Sequence, residues 1–514
     1  MSAFNLATHF VDRHLEQGRG ERTALLAPGG PCSYAGLAEL TNRIGHVLRD
    51  LGVRQEERVL LVLSDGVEFV ATWYAVQKLG AVTAEAYTFL AVKDYAHYLE
   101  YTRAGVVVVD AGSLERVREA APASRSLRHL LVLGARGEDL RPGEAHFESL
   151  VAQAPAQLDP APTSADDIAI WKFTTGSTGA PKACVHRAGT ALASHRSYAE
   201  GVLALTEDDV VLPVPKLFFG YARDMAALYP FGVGGAGIVY PERPTPERLF
   251  ELIARHAPTI LVNVPTMMAA MVDHPDAAMQ DLTSVRCCTS AGEALPRELH
   301  ARWLETFGVE VLDGLGSSEA YHIFISNRPG EAVPGSLGRE VPGYRARVVD
   351  DAGDEVTDGV TGRLWVQGET AALMYWGARE KSTQTFAGDL VMTGDLVERD
   401  GDGLYWYRGR ADDLLKVGGI WVAPAEIEQC LAGHPDVLEC AVVGYAERGL
   451  VRPRAYVALV ESATAGPDLA DALREHVRSE LSPHKRPRDV CFLDALPKTG
   501  SGKIDRRALK ELDG

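Results

Sequence analysis

The chain has 514 residues, a length at which one hydrophobic core gives way to at least two domains. Apolar residues make up 46% and charged residues 24%, the balance of a soluble globular protein, and no apolar run approaches the ~20 residues of a membrane span. A formal charge of −18 argues against a general nucleic-acid surface, yet leaves room for a local phosphate site made of backbone N–H groups and a few cations.

The opening residues, MSAFNLATHFVDRHLEQ, lack the basic and then apolar pattern of a secretory signal. The seven cysteines are scattered and none forms C-x-x-C, so neither a disulfide framework nor a zinc site is suggested and a reducing cytoplasm is expected. Residues 33–51 carry Leu37, Leu40, Ile44, Leu48 and Leu51 at helical spacing, with Ser33 as N-cap and Gly52 as stop. RVLLVLSDG (58–66) is a continuous apolar run suited to a buried parallel strand. VVVVD (106–110), HLLVLG (129–134) and TILVNVP (259–265) repeat that texture with helical stretches between them. The fold class is therefore α/β, in layered subdomains with mostly parallel sheets. The stretch 135–166, rich in Ala, Pro, Gly and acidic residues, reads as a surface excursion or linker. Residues 338–368 read as short antiparallel strands, a small β-barrel-like part, and from 412 onward a compact α+β unit of usual domain size follows.

The densest chemical signal is WKFTTGSTGAPKACVH (171–186). An apolar strand end runs into Thr174, Thr175, Gly176, Ser177, Thr178 and Gly179, with Lys182 just beyond. Glycines let the backbone approach a ligand, and hydroxyls and N–H groups can wrap phosphate oxygens. The spacing is not that of a Walker A loop. Taken alone, such a stretch is most often a flexible loop.

T-T-G-S-T-G-x-P-K resembles the phosphate loop of the adenylate-forming superfamily of acyl- and aryl-CoA ligases, peptide-synthetase adenylation domains and luciferases. Further segments resemble that family's motifs in its own order: SAGEALP (290–296), DGLGSSE (313–319), TGD (393–395), GRADDLLKVGG (409–419) and PKTGSGK (497–503). The resemblance spans nearly the whole chain. It implies residues 1–411 as a domain for ATP and acid, and 412–514 as a small mobile domain that carries the catalytic lysine. ATP, Mg²⁺ and coenzyme A are the implied cofactors. The nucleotide would lie against 174–179, Lys182, Ala291, Gly292, Glu293, Asp313, Gly314, Ser318, Asp395 and Arg410. Glu319 would hold Mg²⁺, as a carboxylate suits a hard cation, and Lys503 would stabilise charge developing at the α-phosphate. Rotation about Asp412 would then withdraw Lys503 and bring in Lys416, Gly418 and Gly419 to line a channel for the acceptor thiol. Each residue also has a plainer reading: Glu319 as a surface or cap glutamate, Asp395 as a turn former, Arg410 as half of a surface salt bridge, Lys503 as a solvated lysine, and the two glycines as a tight turn.

Within the family, KLFFGYARDMAALYPFGVGG (216–235) and GSSEAYHIFISNRPG (316–330) are most similar to benzoate-type aryl-CoA ligases. An aromatic acid would sit between Phe219, Gly220 and Tyr221 on one side and Gly316, His322 and Ile323 on the other. The sequence departs from that pattern at Ala222, Arg223 and Asp224, at Ala320 and Tyr321, at Ala183, at Ser318, and at Glu85 and Tyr87. Charge near an acyl pocket is costly unless paired or used. Arg223 and Asp224 are thus read either as a pair that faces solvent or as a response to a polar ring such as an amino- or hydroxybenzoate. The acceptor is coenzyme A, with a carrier-protein pantetheine as the alternative; Arg452, Arg454, Lys485 and Arg486 are a candidate patch for the coenzyme's phosphates. A second alternative keeps the scaffold and activates nitrite to diazotise an aryl amine. A non-catalytic binding protein on this fold is disfavoured by the intact motif residues. No nucleic-acid or membrane partner is expected, and a homodimer stays open.

Overall fold

The computed structural model describes residues 3–174, 181–417, 420–447, 450–499 and 504–512. Two large sheets dominate. One has eight strands in the order Met374–Tyr375, Lys182–Arg187, Ile168–Thr174, Val82–Glu85, Arg58–Val62, Val106–Asp110, His129–Leu133, Glu144–His146. It is parallel from Ile168–Thr174 onward and antiparallel across the first two pairings. The other has nine strands, with Val311–Gly316, Cys287–Ser290, Ile260–Asn263, Val210–Pro213, Ala236–Ile238 and Thr23–Ala27 side by side and parallel at its centre. Strands such as RVLLV and VVVVD are apolar on both faces because helices cover both. The helix Tyr34–Asp50 begins where expected, with Ser33 Oγ accepting from the Gly36 N–H, and Gly52 takes φ +84° just past its end.

Residues 135–166 are more than a linker. Glu144–His146 adds a parallel edge strand beside His129–Leu133, and the helix Phe147–Gln153 buries Phe147 and Val151. An edge strand of three residues is too short to show periodicity, which is why composition alone misreads it. The β-rich part is a five-stranded antiparallel sheet that includes Arg345–Val349, Gly362–Gln367, Leu390–Arg399 and Tyr405–Arg410. Beyond the turn Ala411–Asp413 come the hairpin Leu415–Val417 with Ile420–Val422, then the sheet Val437–Glu447, Leu450–Leu459, Asp489–Phe492. Helices Pro424–Ala432 and Pro467–Glu480 pack on it through Ile427, Leu431, Leu473 and Val477, a core separate from those of the large sheets. Among the described residues, no helix is long and apolar enough to cross a membrane.

Candidate active site

The strand Ile168–Thr174 and the antiparallel strand Lys182–Arg187 are paired to their tips, with Thr174 opposite Lys182. They hold the two ends of the loop 175–180 together. Thr175, Gly176, Ser177, Thr178 and Gly179 lie outside the described residues, so the structure places the stem of this loop. From that stem Lys182 reaches over the ring of Tyr375, at 5.0 Å. Tyr375 donates its hydroxyl proton to Glu319 Oε1 at 2.6 Å. A lysine and a carboxylate thus meet across one tyrosine at the mouth of the loop.

Glu319 stands in the turn between the strands Val311–Gly316 and Ile323–Ser326. The turn is pinned to the loop's stem from two sides. Ser318 Oγ donates to the carbonyl of Phe173 at 3.3 Å, and His186 Nε2 donates to the carbonyl of Ser318 at 2.7 Å. Burial pushes the His186 imidazole down to about 3, so it is neutral and serves as that donor. Tyr321, two residues past Glu319, is buried at φ +74°, in the left-handed region that a bulky side chain rarely adopts.

Cys287–Ser290 and Val311–Gly316 are parallel neighbours with Ser290 opposite Asp313. Ala291 and Gly292 follow directly, Gly292 at φ +89°, and the Glu293 carboxylate accepts from the Thr266 N–H and hydroxyl at 3.2 and 2.7 Å. Asp313 is buried with Oδ1 lacking a partner among the described residues, and burial pushes its carboxyl up to about 8. Gly314 and Gly316 are needed by the strand itself. A Cβ at Gly314 would fall 2.9 Å from the Ile325 carbonyl oxygen, and one at Gly316 would fall 2.8 Å from the His322 carbonyl carbon. Across the neighbouring β-rich sheet Asp395 faces Arg410, and the two form an ion pair at 2.9 Å. Burial raises the Asp395 carboxyl and Arg410 opposes that rise. Arg410 also donates to the Thr393 carbonyl at 3.0 Å.

The two stretches expected to wall an acid pocket do come together. Phe219 caps the helix Gly220–Ala227, and its ring packs on Phe218 and Tyr87 at 4.9 and 4.8 Å. Tyr221 shares a 2.7 Å hydrogen bond with Thr289, and its carbonyl lies 3.4 Å from His322 Nε2. The His322 ring sits among Tyr198, Tyr221 and Tyr229, with Ile323 starting the next strand. Burial drives His322 down to about 3, which makes it neutral. With Nε2 donating to the Tyr221 carbonyl, Nδ1 is left as a buried acceptor with no partner among the described residues.

The AMP-binding enzyme family matches residues 11–376, and its C-terminal domain matches 426–503. The chain belongs to the AMP-binding enzyme family. It is 40% identical to the benzoate–CoA ligase of Thauera aromatica, covering 99% of this chain and 96% of that one. It is 39% identical to a 4-hydroxybenzoate–CoA/benzoate–CoA ligase of Rhodopseudomonas palustris, covering 99% and 94%. Among solved structures, the anthranilate CoA ligase AuaEII in complex with anthranoyl-AMP superposes with a TM-score of 0.94 at 36% identity, covering 99% and 98%. A benzoate CoA ligase of Burkholderia xenovorans gives 0.91 at 39% identity, covering 99% and 100%. This family member is an AMP-forming acid–thiol ligase of the aryl-CoA ligase type.

Where the chain departs from the family's pattern, the structure corrects one expectation. Arg223 and Asp224 do pair, but neither faces solvent: Arg223 is 2% exposed and Asp224 0%. The helix Gly220–Ala227 is buried from Ala222 to its end, so these positions have no outer face. Arg223 donates to both Asp224 Oδ1, at 2.8 and 3.1 Å, and Glu85 Oε1, at 2.5 Å. Glu85 in turn accepts from Trp73 Nε1 at 2.8 Å. Asp224 is also bonded to Lys172 Nζ. Burial would raise Asp224, but Arg223 and Lys172 together hold it below the usual carboxylate range. Lys172, pushed down to about 8 by burial, was not singled out by sequence reasoning. Its only sequence signal is a charge inside the otherwise apolar strand IAIWKFT. Tyr375 was also missed, and Tyr321 was noted only as a departure from the family's pattern.

In the C-terminal unit, Asp412 lies in the turn Ala411–Asp413 and Lys416 in the strand Leu415–Val417. The Lys416 side chain, Gly418, Gly419 and Lys503 lie outside the described residues. Two members of the candidate coenzyme patch are engaged at home: Arg454 pairs with Asp489 at 2.9 Å and Lys485 pairs with Glu426.

The raised Asp313 carboxyl has a testable sign. Between its ordinary value of 3.8 and its folded value of about 8, the folded chain keeps a proton that the unfolded chain has released. Its contribution to stability is therefore full below about pH 4 and is lost as pH rises toward about 8. Asp313→Asn is expected to gain on the wild type across that window. Thermal midpoints of both proteins, without ligands, at about pH 5 and about pH 8 check this. A constant offset between the two curves would count against it.

Proposed function

We propose that this ligase activates a benzoate-like acid bearing an amino or hydroxyl substituent, and then passes the acyl group to coenzyme A. The observation that carries the ring assignment is His322. It is neutral, donates through Nε2, and leaves Nδ1 as a buried acceptor in the wall formed with Tyr221. A ring hydroxyl or amine supplies the donor that such a nitrogen needs, and a buried acceptor left unpaired costs about 1–3 kcal/mol. Phe219, Gly220, Tyr221, Gly316 and Ile323 complete the slot for a flat ring. The ring substituents named for the relatives, 4-hydroxybenzoate and anthranilate, are of the same two kinds.

The substrate carboxylate attacks the α-phosphorus of ATP, the bond to the bridging oxygen breaks in line, and pyrophosphate leaves. In this reading Thr174, the loop 175–179 and Lys182 wrap the phosphates. Ala291, Gly292, Glu293, Asp313 and Gly314 border the base, with Ser318 joining the loop to the turn. Asp395 accepts from the ribose hydroxyls, and Arg410 holds Asp395 in place. Glu319 suits Mg²⁺: among the described residues its carboxylate accepts a hydrogen bond from the Tyr375 hydroxyl alone, and this ion takes one or two carboxylates beside phosphate oxygens and water. Bound there, Mg²⁺ neutralises charge on the phosphates. Lys503 does the same at the α-phosphate. Residues 412–514 then turn about Asp412, and Lys416, Gly418 and Gly419 line the path of the thiol. The thiolate attacks the acyl carbon and AMP leaves.

The test is AMP and pyrophosphate release from ATP-Mg²⁺ over a panel of benzoates, aminobenzoates and hydroxybenzoates, with and without coenzyme A and with and without nitrite. The expected result is coenzyme-dependent AMP release with thioester product, highest for a substituted ring. Best turnover of unsubstituted benzoate would overturn the ring assignment. AMP release that needs nitrite and no carboxylate would replace the whole reading, and transfer only to a carrier-protein thiol would replace the acceptor.

A further inference from the structure

We infer that Lys172 is a positioning residue of the acid pocket, and that the set Lys172, Asp224, Arg223 and Glu85 fixes the separation of the pocket's two walls and so the width of ring accepted. The inference rests on the aromatic-acid reading above. Lys172 lies two residues before Thr174 on the strand that feeds the phosphate loop. Its ammonium bonds Asp224 on the helix Gly220–Ala227 and donates to the Tyr321 carbonyl, at 2.6 Å, on the turn that bears Glu319 and His322. It also lies 3.5 Å from the centre of the Tyr321 ring. One side chain therefore joins the helix behind Phe219, Gly220 and Tyr221 to the turn behind Gly316, His322 and Ile323. The approach is close on the helix side, since a Cβ at Gly220 would fall 2.9 Å from Lys172 Nζ.

The turn it grips is strained. A tyrosine at φ +74° persists only where its surroundings over-determine it. Here Lys172 holds the carbonyl, Asp224 accepts from the hydroxyl at 3.4 Å, and His186 meets the ring edge-on at 5.1 Å. Arg223 and Glu85 keep Asp224 from moving, and Trp73 keeps Glu85. Two cations and two carboxylates are buried with no net charge. Apolar residues of equal volume would stabilise a core as well or better. What the ionic set adds is direction, because each bond fixes an angle as well as a distance. Relaxing it would let Tyr321 leave its strained conformation, moving His322 relative to Tyr221.

The experiment compares wild type with Lys172→Met, measuring kcat and KM separately for the preferred benzoate, for 2-naphthoate and for ATP. A brace that sets the wall spacing predicts that the preference for the single ring falls about tenfold or more. The loss should lie in the acid KM, with the ATP KM little changed. A merely structural role would lower both acids alike, so an unchanged ratio overturns the inference at any overall rate. Should Lys172→Met not fold, Glu85→Gln decides by the same ratio, with a smaller fall expected and an unchanged ratio again overturning it. A wild type that adenylates no aromatic acid sinks the function reading and this inference with it; wild-type turnover with an unmoved ratio sinks the inference alone.

Discussion

Replacing Asp224 by alanine is expected to destabilise the chain by about 3–5 kcal/mol, the cost of leaving a buried charge without its partner. The side chain is 0% exposed and faces two cations, Lys172 and Arg223. Without it Glu85 is the one carboxylate left to answer both. Lys172 retains the Tyr321 carbonyl and can lose its proton, having been pushed down to about 8, but Arg223 cannot. Asp224→Asn keeps the volume and can still accept from Arg223, so its loss should be smaller. Soluble yield and the denaturant midpoint of the N-terminal unit, read for both variants, check the order. An Asp224→Asn midpoint equal to that of the wild type would show that the carboxylate's charge contributes nothing.

Lys503→Ala is expected to lower the adenylation half-reaction about 10²–10³-fold, as loss of one group aimed at developing charge does elsewhere. The second half-reaction should survive, because in the proposed cycle Lys503 has left the site before the thiol arrives. Pyrophosphate exchange measures the first step, and single-turnover thioester formation from supplied acyl-adenylate measures the second. Loss of both steps by the same factor would show that the lysine has no step of its own.

Much of the fold was legible because buried parallel strands write themselves as unbroken apolar runs. VVVVD is the strand Val106–Asp110 residue for residue, and HLLVLG holds His129–Leu133. The family was legible for a different reason: motifs in fixed order, from the 174–182 loop to 393–395, resemble its own, and among their residues the structure brings Lys182 and Glu319 to one tyrosine and pairs Asp395 with Arg410. The pairing of Arg223 with Asp224 was legible, but the set they form with Lys172 and Glu85 was not, since its members come together only in three dimensions. Lys172 and Asp224 are separated by 52 residues and Glu85 and Arg223 by 138, and no local pattern couples such positions. Arg223 and Asp224 also sit on an eight-residue helix, too short for its composition to reveal that no face is open.

The neutrality of the four buried charges bears on how such a pocket changes over generations. Any single substitution among Glu85, Lys172, Arg223 and Asp224 strands a charge in the interior, so the first step away is unfavourable whichever residue takes it. A second change that restores balance is beneficial only after the first. The four codons therefore behave as one inherited unit, kept whole or exchanged whole, and in the proposed pocket selection for a new ring would act on Phe219, Tyr221 and Ile323 long before it reached them.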